Sequence, residues 1–308
     1  MGGPFYNPRY LSPQLACMSF VESVSVFTGH CGYCGGNGSI AIYSELKTPL
    51  AALLYQELME QGWRRSGSKL LYLPLNDITC CPLKPIRLRV SAFTPSRSQR
   101  KAYRRIATRF RLLTTYSQGD ITKDLEAYPE AIKDMYKVEN FKETKEMGVL
   151  PAFTVRLLEP SELLAEFELA SLFTLFLKYQ QAVHEDAATW TVDSFKSFII
   201  DGALEEGSTR FLVFVIGTRL VAMSTVDVLP DYISSCYFFY DPEYANLSLG
   251  TFSILTEIEL ARIMRRSYYI LGFYSPKCPK LLYKAAYAPA EIGIPQLGGG
   301  KFCWQPLE

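Results

Sequence analysis

The residues with the clearest capacity for chemistry are four cysteines in two pairs, Cys31 with Cys34 and Cys80 with Cys81. The first pair sits in HCGYCGGNGS, whose glycines let the backbone turn tightly enough for two thiolates to face one centre. Four thiolates in this pair-plus-pair arrangement suit zinc or an iron-sulfur cluster, and the spacing does not choose between them. Neighbouring side chains tend to diverge, which leaves one of Cys80 and Cys81 open to being a spare redox thiol, with His30 available as a replacement ligand. Cys17, Cys236, Cys278 and Cys303 are scattered, mostly among apolar residues, and read as small core hydrophobes.

A second constellation lies in PSRSQRKAYRRIATRFR. Tyr103, Ile106, Ala107 and Phe110 recur at helical spacing, while Arg97, Arg100, Lys101, Arg104, Arg105, Arg109 and Arg111 occupy the other faces with no acid among them. Pro95 and Ser96 supply the helix start. Across the chain 32 Lys and Arg balance 31 Asp and Glu, so nothing draws the whole molecule to nucleic acid. A one-signed cluster on so neutral a protein reads as a local phosphate-binding footprint for RNA.

These groups must be held by a packed core, and 308 residues at 48% hydrophobic content suffice for one large or two ordinary domains. No apolar run approaches the roughly 18 residues of a membrane span, and the start lacks the order of a signal peptide. With cysteines too few and clustered for a disulfide scaffold, a reducing compartment is expected, cytoplasmic or also nuclear. Leu50, Leu53, Leu54 and Leu58 mark a helix stopped by Gly62, after which GWRRSGSKLLYLPL runs through a turn into a strand leading to Cys80. Residues 117–150 have few large aliphatics and read as a linker or surface excursion.

Beyond them comes a strand at FTVRLLEP, then a helix with Leu169, Leu172, Phe173, Phe176 and Leu177 in register, and a short helix capped by Asp193. Apolar β-rich runs follow from Phe211, Leu220 and Cys236, then a helix capped by Ser248 and reaching about Arg266, then SYYILGFY as a strand. Continuous apolar runs predict a central sheet covered on both faces. The expected organisation is α/β (α+β): an N-terminal cysteine module over 1–116, the linker, a second domain over 151–290 and a tail over 291–308.

Three ordered segments carry a resemblance. The first is CGYC at Cys31 to Cys34 with GWRRSG at Gly62 to Gly67 and the pair Cys80 and Cys81 before Pro82. The second is FLKYQQAVHED, which places Lys178, Tyr179, Gln180, His184 and Asp186 in a KYQ-x-x-x-H-x-D pattern. The third joins DVLP at Asp227, SSCYFFYDPEYANLSLG from Ser234 and GFY-x-x-x-CPK-x-x-YK at Gly272 to Lys284. Together they resemble the arginyl-tRNA-protein transferases over about residues 30 to 290. Two departures are CPKL in place of the usual CPKM and an unusually apolar strand from Phe211.

The resemblance implies an N-terminal metal- and tRNA-binding module and an acetyltransferase-like (GNAT-like) mixed-sheet catalytic domain. It also implies transfer of arginine from arginyl-tRNA to proteins beginning with Asp, Glu or oxidised Cys, marking them for N-degron degradation. Other classes the sequence accommodates are an acetyl-CoA-dependent N-acetyltransferase and a non-catalytic zinc- and RNA-binding protein. ANLSLGT, with its single glycine, is a poor pyrophosphate loop for the former.

Transfer from tRNA is aminolysis of an activated ester, so the enzyme chiefly aligns amine and carbonyl and stabilises the oxyanion. Asp227 and Asp241, each ending a predicted strand, are the candidate proton acceptors. Asp227 or Glu257 is expected to meet the incoming guanidinium. Lys178, Tyr179 and Gln180 are further substrate contacts implied by the resemblance. The acceptor's acidic side chain needs a cation, for which Lys280 and Lys284, flanking Tyr283, are preferred to Arg64 and Arg65. The helix start at Ser248 and Gly250 offers free N–H donors to RNA phosphates, and Arg97, Arg100, Lys101, Arg104 and Arg105 are the expected tRNA-binding cations.

Overall fold

A computed structural model of the chain describes residues 19–76, 78–116, 151–184, 187–295 and 301–307. The expected linker over 117–150, Asp186 and Cys17 lie outside the described residues. The rest divides into two compact units, one drawn from 1–87, 202–205 and 271–308, the other from 88–201 and 206–270. Among the described residues no helix is long and apolar enough to cross a membrane.

In the first unit, strands β1 (Val21–Gly29) and β2 (Ser39–Leu46) pair antiparallel, and the cysteine knuckle is the turn between them. Helix α1 (Ala52–Glu60) buries Tyr55, Leu58 and Met59 and is closed by Gly62, whose φ of 104° favours glycine. GWRRSGSKLLYLP forms a full hairpin, β3 (Arg64–Ser66) with β4 (Leu70–Pro74), giving the order β1-β2-β4-β3. Strand β5 (Lys84–Arg89) lies in a second sheet whose order is β13-β12-β5-β11. Here β11 is Tyr268–Tyr274, and β12 (Ala290–Ile294) and β13 (Cys303–Pro306) pair antiparallel inside the region expected to be a tail. Arg87 anchors that pair, bonding Glu291 at 2.8 Å and standing 3.9 Å over the Trp304 ring.

In the second unit the sheet order is β11-β10-β9-β8-β7-β6, with β6 at Arg111–Tyr116, β7 at Ala152–Leu158, β8 at Thr209–Ile216, β9 at Arg219–Val228 and β10 at Tyr232–Tyr240. Strands β7 to β10 are antiparallel in succession, while β6 with β7 and β10 with β11 are parallel. Helix α2 is Arg97–Ala107, capped by Ser96 in a capping box with Gln99. Helices α3 (Pro160–Glu166), α4 (Leu169–Tyr179) and α5 (Val192–Phe195) follow β7, and α6 (Leu249–Ile263) links β10 to β11.

Both faces of this sheet are covered, as the apolar runs require. On one, Phe211, Val213, Val215, Met223 and Phe239 pack against Leu163, Leu172, Phe176 and Phe195 of α3, α4 and α5. On the other, Phe252 of α6 meets Phe153 at 5.5 Å, Phe214 at 6.0 Å and Tyr103 of α2 at 5.5 Å between ring centres. This is the mixed-sheet architecture the resemblance implies. Two caps differ from expectation. Thr191, not Asp193, caps α5, because its hydroxyl accepts from the Ser194 amide at 3.1 Å. Ser248 occupies the N-cap position of α6 but in a left-handed conformation, φ 59°, that turns its hydroxyl away from the helix amides.

Phe176 is fully buried, its ring 4.8 Å from Trp190, 5.0 Å from Phe195, 5.5 Å from Phe239 and 5.9 Å from Tyr237. Phe176→Ala should therefore destabilise the protein by about 3–5 kcal/mol in denaturant titration. A change below about 1 kcal/mol would show that α4 is not docked as described.

Candidate functional site

The four cysteines of the two pairs come together. One Sγ from each of Cys31, Cys34, Cys80 and Cys81 lies within 4.8 Å of all the others, and Cys34 and Cys80 approach to 3.6 Å. Cys80 and Cys81 thus both face the centre, against the expected divergence, and His30 is not in the group. The local backbone explains how. The Cys31 amide donates to Gly36 O at 2.6 Å, which closes the knuckle. Cys80 N donates to Gly38 O at 2.9 Å, and a Cβ on Gly38 would lie only 3.0 Å from Cys80 Cβ. Asn76 clamps the opposite loop, accepting from Leu83 N at 2.6 Å and donating to Leu83 O at 2.9 Å.

The thiols perturb one another as a shared site would. Burial opposes ionisation of Cys31, but amides of Cys34 and Tyr33 and the neighbouring thiols bring it down to about 7. Burial together with the Cys34 and Cys31 sulfurs pushes Cys81 up to about 12. Four thiolates so close repel strongly until a cation sits among them, and a soft divalent metal or an iron-sulfur cluster fits this donor set.

A second cluster forms at the carboxyl end of β10. Asp241 is buried, its side chain only 3% exposed, and its Oδ2 lies 2.6 Å from the Arg219 guanidinium and 3.6 Å from Lys178 Nζ. Its Oδ1 accepts from the Glu243 amide at 3.2 Å. Burial works against its charge, yet Glu243 N–H, Arg219 and Lys178 outweigh that and hold it below the usual carboxylate range. It is a weak base and a strong anchor for cations. Lys178 and Arg219 themselves are 47% and 48% exposed, so the acid stays inside and the cations face out. Tyr179 meets Tyr240 at 5.2 Å and Gln180 donates to Tyr237 at 2.9 Å. The start of the second recognised segment therefore assembles with the YFFYD stretch of the third.

Asp227 is elsewhere. It pairs with Ser234 near the start of β10, so the antiparallel register puts it about 20 Å from Asp241 at about 3.3 Å per residue. Its carboxylate accepts from Thr209 at 2.9 Å and from the Cys236 thiol at 3.2 Å, where β10 bulges. Glu257 lies under the opposite face, taking hydroxyls of Ser224 (2.7 Å), Ser253 (2.8 Å) and Tyr269 (2.8 Å). Burial raises its pKa, and those hydroxyls offset part of the effect. Asp227 and Glu257 are thus on different faces and cannot exchange roles.

The basic helix α2 exposes Arg97, Lys101 and Arg104, and the turn after it exposes Arg109, beside an open concavity of about 1040 Å³. Arg105 is tied to the start of α6 instead, donating to Ser248 Oγ and, at 3.0 Å, to Asn246 O, while Arg100 bonds Pro95 O at 2.6 Å. Gly250 lies in the first turn of α6, and a Cβ there would sit 3.8 Å from the Phe238 ring. In the other unit, Arg64 is buried and bonds Met59 O and Trp63 O, both at 2.7 Å, and Arg65 reaches Gly67 O. Lys280 and Tyr283 are exposed, whereas burial pushes the half-buried Lys284 ammonium down to about 8, partly countered by Cys278. Arg219 was not legible as a site residue, since only the antiparallel pairing of β9 with β10 brings the start of β9 to Asp241.

Comparison with known proteins covers the same segments of sequence. A family profile described as arginine-tRNA-protein transferase, N terminus, matches residues 29–101, and its C-terminus counterpart matches residues 171–294. The chain belongs to this family. Arginyl-tRNA-protein transferase 1 of Arabidopsis thaliana is 37% identical over 44% of the chain, and aspartate/glutamate leucyltransferase of Campylobacter jejuni is 39% identical over 42%. The chain matches only 24% of the plant protein's length and 56% of the bacterial one. The family member from Dinoroseobacter shibae, also an aspartate/glutamate leucyltransferase, is 29% identical over 90% of this chain and 80% of its own.

The cysteine cluster makes a direct prediction. Elemental analysis of the purified protein should find bound zinc or iron, and Cys31→Ser or Cys80→Ser should each remove most of it. A strong chelator should expose the four clustered thiols to titration. If all four titrate readily in untreated protein, the site is not a metal centre.

Proposed function

We propose that the chain moves arginine from arginyl-tRNA to the α-amino group of a protein beginning with Asp or Glu, in the cytoplasm or nucleus, so that the product enters N-degron degradation. The observation that carries this reading is the convergence at the end of β10. Lys178, Tyr179 and Gln180 meet Tyr237, Tyr240 and Asp241 there, beside the α6 start to which the basic helix is tied through Arg105. A phosphate-rich donor and a charged acceptor both find partners at this end.

In the reaction the acceptor's amine attacks the ester carbonyl carbon, the C–N bond forms, and the C–O bond to the terminal ribose breaks. The amine's proton passes to the released ribose oxygen. An α-amino group of pKa about 8 is partly neutral near pH 7, so no strongly basic side chain is required. Asp241, with its lowered pKa, serves by fixing Lys178 and Arg219, and these half-exposed cations meet the carboxylate of the acceptor's first residue. Exposed Glu243, which pairs with Arg219 at 3.1 Å, exchanges that partner for the donor's guanidinium. Helix α2 and the turn after it carry the tRNA phosphates through Arg97, Lys101, Arg104 and Arg109.

The test is incubation with charged tRNA and peptides beginning with Asp or Ala. Arginine should enter the Asp peptide only, and Arg219→Met should reduce that preference about tenfold. Entry of leucine would replace the donor, an outcome favoured by the name of the Dinoroseobacter shibae relative. Acetylation from acetyl-CoA would replace the reaction class. If Lys284→Met abolishes the preference while Arg219→Met leaves it intact, the acceptor's cation is Lys284.

A further inference from the structure

The carboxyl end of β10 carries a row of aromatic rings that the transfer chemistry does not use. Phe238 and Tyr240 are stacked, with centres 5.9 Å apart and planes 26° from parallel. Tyr240 meets Tyr179 edge-on at 5.2 Å, and Tyr179 meets His184 at 5.5 Å. Phe238, Tyr240 and Tyr179 are half-buried and His184 is exposed. Phe238 borders the α6 side of the sheet, where Phe214 is 6.1 Å away, while Tyr179 belongs to α4 on the other side. The row therefore wraps around the strand's end and is not confined to either core layer.

Cations stand at one end of this row. Arg105 of α2 reaches Asn246 O and Ser248 Oγ, and the first turn of α6, at Gly250, touches Phe238. The rest of the α2 cations continue from Arg105 at about 5.4 Å per helical turn with no acid interposed. Near Tyr240 itself the charges cancel, since Lys178 and Arg219 are matched by Asp241 and Glu243. A ligand spanning both parts must be anionic along one stretch and flat, aromatic and uncharged at its end. The unpaired end of an RNA strand has this character, with phosphates for the cations and a base for the rings.

We propose that Tyr240, flanked by Phe238 and Tyr179, is a stacking site for a nucleobase of the unpaired 3′ end of the donor RNA, and that the α2 cations hold the phosphates leading to it. This rests on the reading of the donor as a charged tRNA. It adds that the protein recognises the donor's single-stranded end by stacking and its backbone by charge, through separable residues.

The experiment measures binding of two uncharged RNA hairpins, one with a short unpaired 3′ tail and one blunt, to the full chain. Stacking of one base is worth about 1–3 kcal/mol, so wild-type protein should prefer the tailed hairpin by about tenfold. Tyr240→Leu should erase that preference without changing affinity for the blunt hairpin, and Tyr240→Phe should keep it. Arg104→Met with Lys101→Met should weaken both hairpins alike. Should Tyr240→Leu fail to fold, a tail whose terminal nucleotide is abasic tests the point on wild-type protein, which should bind it about tenfold more weakly. Equal binding of tailed, abasic and blunt hairpins overturns the stacking site while leaving RNA as donor. A Tyr240→Leu defect confined to the KM for the acceptor peptide also overturns it, assigning the rings to the acceptor. Binding of neither hairpin overturns the donor reading itself.

Discussion

Phe176 is enclosed by Trp190, Phe195, Tyr237 and Phe239, and this enclosure sets the position of α4 against β10. The next residues along α4 are then delivered to the strand's carboxyl end without further adjustment. Lys178 reaches Asp241, Tyr179 meets Tyr240, and Gln180 reaches the Tyr237 hydroxyl. Hydrophobic burial is non-directional but close packing is strict in shape, so a shift of α4 by even one residue would rotate all three groups away from the strand. The polar contacts at the site depend on an apolar one beneath them.

The second constraint is strand direction. Because β9 and β10 are antiparallel, residues at the carboxyl ends of the two strands lie at opposite ends of the sheet, and Asp227 is separated from Asp241 by the length of β10. Because side chains alternate, Asp227 and Glu257 approach different faces, one with Thr209 and Cys236, the other with Ser224 and Tyr269. Two acids that a linear sequence presents as equivalent are thus given separate surroundings. Asp241 is the one that shares its end of the sheet with the recognised α4 residues and with the start of α6.

Much of this was legible in the sequence where a period or a steric requirement speaks for itself. The stripe from Leu169 to Leu177, the apolar runs from Phe211, Leu220 and Cys236, and the covered sheet they form were readable because burial on both faces leaves little room for polar residues. The cysteine site was readable because its glycine-rich turn leaves room for the close approach of Gly38 to Cys80. Other features depend on partners far along the chain. β1 alternates weakly and is mostly exposed, and β12 and β13 are short and partly polar, so none announces itself. Ser248 has the composition of a cap, but Arg105 claims its hydroxyl. Arg64 has the charge of a substrate contact, but it is buried, with Nη1 held by the carbonyls of Met59 and Trp63.

On the proposed reading, the donor's 3′ end and the acceptor meet at the carboxyl end of β10. The most direct measurement is photocrosslinking of a tRNA whose terminal nucleotide carries a short-range photoreactive group, followed by mass spectrometric mapping of the attached peptides. The account predicts crosslinks within Lys178–His184 and Phe238–Gly250, and their loss under competition by unmodified tRNA. Crosslinks concentrated around Asp227 and Cys236, or on the cysteine knuckle at Cys31 to Cys34, would contradict it.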